Sequence, residues 1–170
     1  MSDGYEESDF VRAVALLGAE PSPRALVEQL GIDWDYLSWL ALDASAAALG
    51  EQAAKDGTVV SHAGEAFTAG FLIGLHLAPE PRAAPERLAA AVDLVQVRGR
   101  HAVIADHCDL ASVARFETLY SEALVESMEV AAADRDALRA PVTRAFEAGL
   151  AVGLEVGSGG GNGGAAAREP

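Results

Sequence analysis

The chain has 170 residues, with 26 Asp and Glu against 12 Lys and Arg and a formal net charge of −14. That charge repels phosphate backbones and anionic lipid, so nucleic acid and membrane surfaces are disfavoured as partners. No run approaches the roughly 18–20 apolar residues of a membrane helix, no basic-then-apolar leader opens the chain, and a lone cysteine excludes an internal disulfide framework or a multi-cysteine zinc site.

Residues 1–7 are polar and expected to be disordered. Ser8 and Asp9 can cap a first helix carrying Phe10, Val11, Val14 and Leu17. Ser22-Pro23 pairs a cap with proline at the first helical position, and the helix it opens carries Leu26, Val27 and Leu30 before Gly31 stops it. Asp33 caps a third helix with Trp34, Leu37, Leu40, Ala41, Ala44 and Ala48 on one stripe, expected to run to about Lys55. Ser61 opens a fourth helix ending before Pro79 and Pro81, and a fifth runs from near Pro85 through Leu88, Val92 and Val95 to Gly99. Residues 101–108 read equally as a short helix or an extended connector. Asp109 caps a long helix with Val113, Phe116, Leu119, Tyr120, Ala123 and Met128, and a last helix enters near Pro141 and ends at Gly157. The tail, 157–170, has six glycines in fourteen residues and nothing to bury, so it is expected to be disordered. Period-2 alternation is almost absent. The spacing therefore predicts an all-α bundle of about six to eight helices in a single domain over 8–156.

Core material is adequate. Leu, Ile, Val and Phe supply 42 residues, about a quarter of the chain, above the rough 20% level below which highly charged chains stay disordered. Alanine takes 36 positions, and eleven of the twelve basic residues are Arg, with Lys55 the single Lys. This balance resembles the proteins of salt-in halophiles, although GC-rich coding also favours Arg and Ala. The carboxylates are scattered, which reads as a solvated coat.

A repeat is the most specific feature. Ala66-Phe67-Thr68-Ala69-Gly70 followed by Gly74-Leu75 recurs as Ala145-Phe146-Glu147-Ala148-Gly149 followed by Gly153-Leu154, at an offset of 79. The same offset lays Trp34, Leu37, Leu40, Ala41 and Ala44 onto Val113, Phe116, Leu119, Tyr120 and Ala123. Two related helical units, about 9–79 and 86–157, are expected around a pseudo-two-fold axis. Glycine inside a helix costs about 1 kcal/mol relative to alanine. Pairs four residues apart, Gly70 with Gly74 and Gly149 with Gly153, therefore suggest a close helix crossing.

Residues 24–40, RALVEQLGIDWDYLSWL, match a helix-stop-helix pattern at Leu26, Leu30, Gly31, Ile32, Asp33, Leu37 and Ser38, and this stretch resembles the helix-turn-helix of transcriptional regulators. Such regulators contact DNA from the front of the second helix, which here carries Asp33, Trp34, Asp35, Tyr36, Ser38 and Trp39 and no base. Trp34, Tyr36 and Trp39 would serve better as anchors on a protein interface, where aromatics are enriched.

His101, His107 and Cys108 are the remaining candidates for metal or thiol chemistry, with His62 and His76 able to join them only through tertiary contact. A neighbouring imidazolium lowers a thiol pKa, but adjacent helical residues point about 100° apart, and six residues is not a helical metal-pair spacing. Glu122, Glu126 and Glu129 share one helix face but lack the Glu-x-x-His partner of a carboxylate metal bundle. No catalytic residue, metal ligand set or cofactor site is assigned. The reading is a non-enzymatic, cytoplasmic, acidic helical interaction or adaptor protein that can self-associate, with an unidentified protein partner. A regulator using residues 22–42 is the alternative, and a metal- or thiol-dependent enzyme around 101–109 a distant one.

Overall fold

The computed structural model describes residues 5–19, 22–51, 53–77, 85–128 and 130–158. Expectations about residues 1–4, the tail from 159 onward and the prolines at 79 and 81 lie outside them. Eight α-helices are described: α1 (Glu7–Ala19), α2 (Pro23–Gln29), α3 (Trp34–Leu49), α4 (Gly57–His76), α5 (Leu88–Arg98), α6 (Arg100–Ala105), α7 (Leu110–Ser127) and α8 (Ala132–Gly157). The fold is all-α. Among the described residues the extended pairing is one isolated bridge, in which the Tyr5 N–H donates to the His107 carbonyl at 3.2 Å.

Local chemistry accounts for most helix starts. Ser22 accepts from the Ala25 N–H at 3.2 Å, with Pro23 at the first helical position. Asp33 accepts from Tyr36 at 2.8 Å, and Asp109 accepts from Ser112 at 3.2 Å. Each bond satisfies a donor the helix itself cannot pair.

Four boundaries differ from the sequence reading, the first at α1, which starts at Glu7 so that the expected caps Ser8 and Asp9 lie inside it. Helix α3 stops at Leu49, not Lys55, because Gly50 takes a left-handed φ of 84° that ends the helix. Helix α4 starts at Gly57, not Ser61, because Asp56 caps Thr58 and Val59 and draws the β-branched run into the helix. Helix α8 starts at Ala132 and carries Pro141 inside it. The ring removes one backbone donor, and the helix continues because its downstream half is buried on nearly every face.

Helices α4 and α8 form the centre. Every residue from Gly70 to His76 and from Ala145 to Leu154 is buried, the pattern of a helix apolar on all sides. They run parallel. A Cβ on Gly149 would strike the Phe67 carbonyl, one on Gly153 the Phe71 carbonyl, and one on Gly157 would lie 3.2 Å from the Leu75 carbonyl. Conversely, Cβ atoms on Gly70 and Gly74 would press on the carbonyls of Phe146 and Leu150. Both series advance by four residues in the same direction, so the two backbones touch along one stripe. That contact places Cα–H groups against carbonyl oxygens, which contributes a weak attraction of its own.

The other helices cover this pair. Helices α1 and α2 pack on α4, α5, α6 and α7 pack on α8, and α3 packs on both, while α1 also reaches α7 and α5 reaches α3. Phe10 of α1 stacks on Phe116 of α7 with ring centroids 4.5 Å apart, and Tyr120 lies 5.1 Å from Phe146 of α8. The register of α3 on α7 is not 79. At that offset Leu40 and Ala44, both buried, would fall on Leu119, which is 63% exposed, and on exposed Ala123. Shifted three residues, the caps Asp33 and Asp109 coincide, and Leu37, Ala41, Ser45 and Leu49 fall on buried Val113, Glu117, Ser121 and Val125.

Gly149→Ala should lower Tm by several degrees or more, although alanine favours an isolated helix by about 1 kcal/mol. Gly18→Ala, whose Cβ would meet nothing within 4 Å, should be neutral or slightly stabilising. Thermal melts followed by circular dichroism decide, and equal behaviour of the two variants would remove the crossing as a constraint.

Candidate functional site: an apolar groove and a buried ionic network

Helix α3 presents two kinds of surface. Trp34, Ser38 and Leu42 recur every four residues and line one wall of a groove of about 660 Å³. Gly64, Thr68 and Leu72 of α4 form its floor, with Val14 and Leu17 of α1 and Tyr120 and Leu124 of α7 closing the far side. From Trp34 to Leu42 the wall is about 12 Å long at the helical rise of about 1.5 Å per residue. Thr68 is satisfied locally, its hydroxyl donating to the Gly64 carbonyl at 3.0 Å. Burial raises the Tyr120 phenol pKa and keeps it neutral. The one charged residue in the lining is Glu65.

Beyond the groove edge the same helix exposes aromatic and aliphatic side chains between the exposed carboxylates Asp35 and Asp43. Trp39 is 62% exposed, Tyr36 44% and Leu42 43%. Leu42 therefore belongs to both surfaces and makes them continuous. Among the three sequence-selected aromatics, Trp34 faces the groove and Tyr36 and Trp39 form its margin. The α2–α3 corner has the outline of a helix-turn-helix, but the exposed residues near the front of α3 include Asp33 and Asp35, which repel phosphate.

A second cluster lies where α6 and α7 meet α8. Arg100 of α6 donates from Nε to Oε2 of Glu147, and Nε2 of His101 lies 2.7 Å from the same oxygen. Glu147 is nearly buried, and Glu117 of α7, 8% exposed, lies within hydrogen-bond reach of it. Oε1 of Glu117 has no partner among the described residues. Burial first, then the Glu147 carboxylate, push the Glu117 pKa up to about 8, against the lowering pull of Arg100. At neutral pH Glu117 is therefore neutral beside the Arg100–Glu147 pair.

The histidine and cysteine candidates separate in space. His101 faces Glu147, while Nε2 of His107 lies 3.1 Å from Glu155. Cys108 is buried, and desolvation, with Asp9, Glu117 and Asp109 adding to it, pushes its thiol up to about 12. The thiolate that thiol chemistry at 101–109 would need is therefore strongly disfavoured. Nδ1 of His76 donates to the Leu72 carbonyl at 2.8 Å, inside α4. No three His, Cys, Asp or Glu side chains among the described residues converge on a metal-sized site. Glu122 and Glu126 are exposed.

Sequence reasoning passed over Glu117, Glu147 and Arg100. A signal existed, since Glu117 sits four residues after Val113 on a stripe that must face the core. No described helix is long and apolar enough to cross a membrane. The chain matches no protein-family model, no curated protein and no solved structure.

Two outcomes follow. Glu117 keeps its proton in the folded chain to about pH 8 but loses it near pH 4.5 when unfolded. Its contribution to stability therefore falls as pH rises from about 5 to 8 and is level above that. The stability difference between wild type and Glu117→Gln, from denaturant melts across that range, should show this slope; a constant difference would refute the raised pKa. Native Cys108 should resist Ellman's reagent near pH 8 and react fully on unfolding.

Proposed function

We propose that this chain is a non-enzymatic interaction protein that receives a segment of a protein partner in the groove beside α3, with Tyr36 and Trp39 as the margin of the same interface. The observation that carries this reading is the continuity of the surface. A groove of about 660 Å³ opens through Leu42 onto Trp39, the more exposed of the chain's two tryptophans. A chain with 14 excess negative charges coats itself in carboxylate, so a connected apolar strip of this kind marks a place that is covered when the protein works. Small-molecule pockets bury most of their ligand. Here the apolar surface runs past the groove onto the open face of α3, which favours a macromolecular occupant. Aromatic side chains at such a margin are the usual anchors of binding energy.

The reading places the work in the cytoplasm, and the acidic, lysine-poor surface fits a high-salt one. In molar salt the Debye length falls to about 3 Å, and charge no longer opposes apolar association.

A photo-crosslinking benzoylphenylalanine in place of Trp39, compared with one in place of Val97, tests this in source cells. Val97 is also an exposed apolar residue, 85% accessible, on α5. Position 39 should give a discrete protein adduct that position 97 does not. An adduct of twice the chain mass would identify self-association at this face. No adduct at 39, or the same adducts at both positions, would overturn the reading.

A further inference from the structure

Of the described helices, α7 alone buries as many polar as apolar side chains. Its inner stripe is Val113, Glu117, Ser121 and Val125, one residue per turn. Oε1 of Glu117 and Oγ of Ser121 are buried with no hydrogen-bond partner among the described residues. A buried polar group without a partner opposes the burial that holds it. Helix α4 treats its polar residues differently, since Thr68 and His76 donate to the carbonyls of Gly64 and Leu72 in their own helix. Ser45 of α3 is unpaired as well, but the residues around it on that stripe, Leu37, Ala41 and Leu49, are apolar.

Charged groups from two other helices face Glu117. Glu147 of α8 lies within hydrogen-bond reach of it, and Arg100 of α6 acts on both carboxyl groups. His101 of α6 meets the same oxygen of Glu147 as Arg100 does. In the turn before α7, Cys108 lies in the field of Glu117, Asp109 and Asp9 of α1 and stays a neutral thiol. On the outer side, Arg115 of α7 pairs with Glu7 of α1 at 3.4 Å, and both are exposed. Docked on α8, Glu117 thus shares one arginine with Glu147, and its proton keeps two carboxylates from facing each other. Away from α8 it meets water and ionises as an ordinary carboxyl group.

We propose that α7 is a movable wall, which leaves α8 while α4 and α8 stay packed, is released by ionisation of Glu117, and takes Tyr120 and Leu124 out of the groove as it goes. The proposal is independent of what occupies the groove. What holds the wall in place is the aromatic row of Phe10, Phe116, Tyr120 and Phe146. Docked α7 keeps the Glu117 proton to about pH 8, whereas released α7 gives it up near pH 4.5. Release therefore becomes easier as pH rises from about 5 to 8 and is level above that. Between α4 and α8 the contact is glycine against backbone carbonyl, with no charge to gain or lose. Unfolding of the whole chain also exposes Glu117. The mark of a wall is that α7 opens more readily than the central pair.

Hydrogen exchange of the full chain, read as protection factors for each helix between pH 5 and 8, tests this. In wild type the amides of α7 should be less protected than those of Gly70–His76. They should also lose about a hundredfold or more of their protection across that range. Glu117→Gln should abolish the loss. Histidine also changes charge in this interval, so His101→Gln, at an exposed position, should retain it. That variant decides the assignment if Glu117→Gln does not fold. Amides of α7 as protected as those of α4 would overturn the proposal, as would α7 protection that is level with pH. So would a loss that survives Glu117→Gln or disappears in His101→Gln.

Discussion

Four glycines let the backbones of α4 and α8 touch along a parallel stripe, and the remaining helices take their places from that contact. A carbonyl of one helix lies where the other would carry a Cβ, at Gly70 and Gly74 on one side and Gly149 and Gly153 on the other. Any larger residue must push two helices apart that are buried on nearly all faces, and a close-packed interior absorbs little such movement. The large side chains beside the glycines, Phe67, Phe71, Phe146 and Leu150, are turned away from the stripe and fully buried. They become the surface on which α1, α3, α5 and α7 pack, so a backbone contact sets the positions of side chains several residues away from it.

On the two flanks of the crossing, space is used differently. One flank holds Arg100, Glu147 and a neutral Glu117, a buried network that costs desolvation and repays it by mutual pairing. The other leaves a groove with half-buried Leu17 and Trp34 and exposed Leu42 at its opening. Open apolar surface is unfavourable in a monomer unless something covers it. The two flanks thus use space differently, one holding the chain's own charged groups and the other leaving a groove.

Glu117 shows how position alters chemistry here. On the sequence it is one of 26 acidic residues, and its neighbours Glu122 and Glu126 are exposed. Five residues earlier on the same helix, rotation carries it into the core, where burial and a second carboxylate hold its proton. Cys108 follows the same rule. His107 adjoins it in sequence, yet the imidazole meets Glu155 of α8 while the thiol is sealed among apolar groups and carboxylates.

The all-α class was legible because helical periodicity, cap residues and glycine or proline stops are local, and local hydrogen bonding at Ser22, Asp33, Asp56 and Asp109 obeys them. The first turn of α4 from Gly57 and the turns of α8 before Pro141 were not, since burial of the following turns overrides weak local preference. The burial patterns of α3 and α7 agree at an offset of 76 and not at the 79 that the sequence match suggested, because an alanine-rich stripe fits several registers. By itself, then, the sequence determined the all-α class, the positions of most helix caps and the acidity of the chain. Tertiary structure decided which carboxylates lie inside, which aromatics stay exposed and where a groove remains. Those depend on pairs of residues far apart in the chain, and the chain order carries no record of their distance.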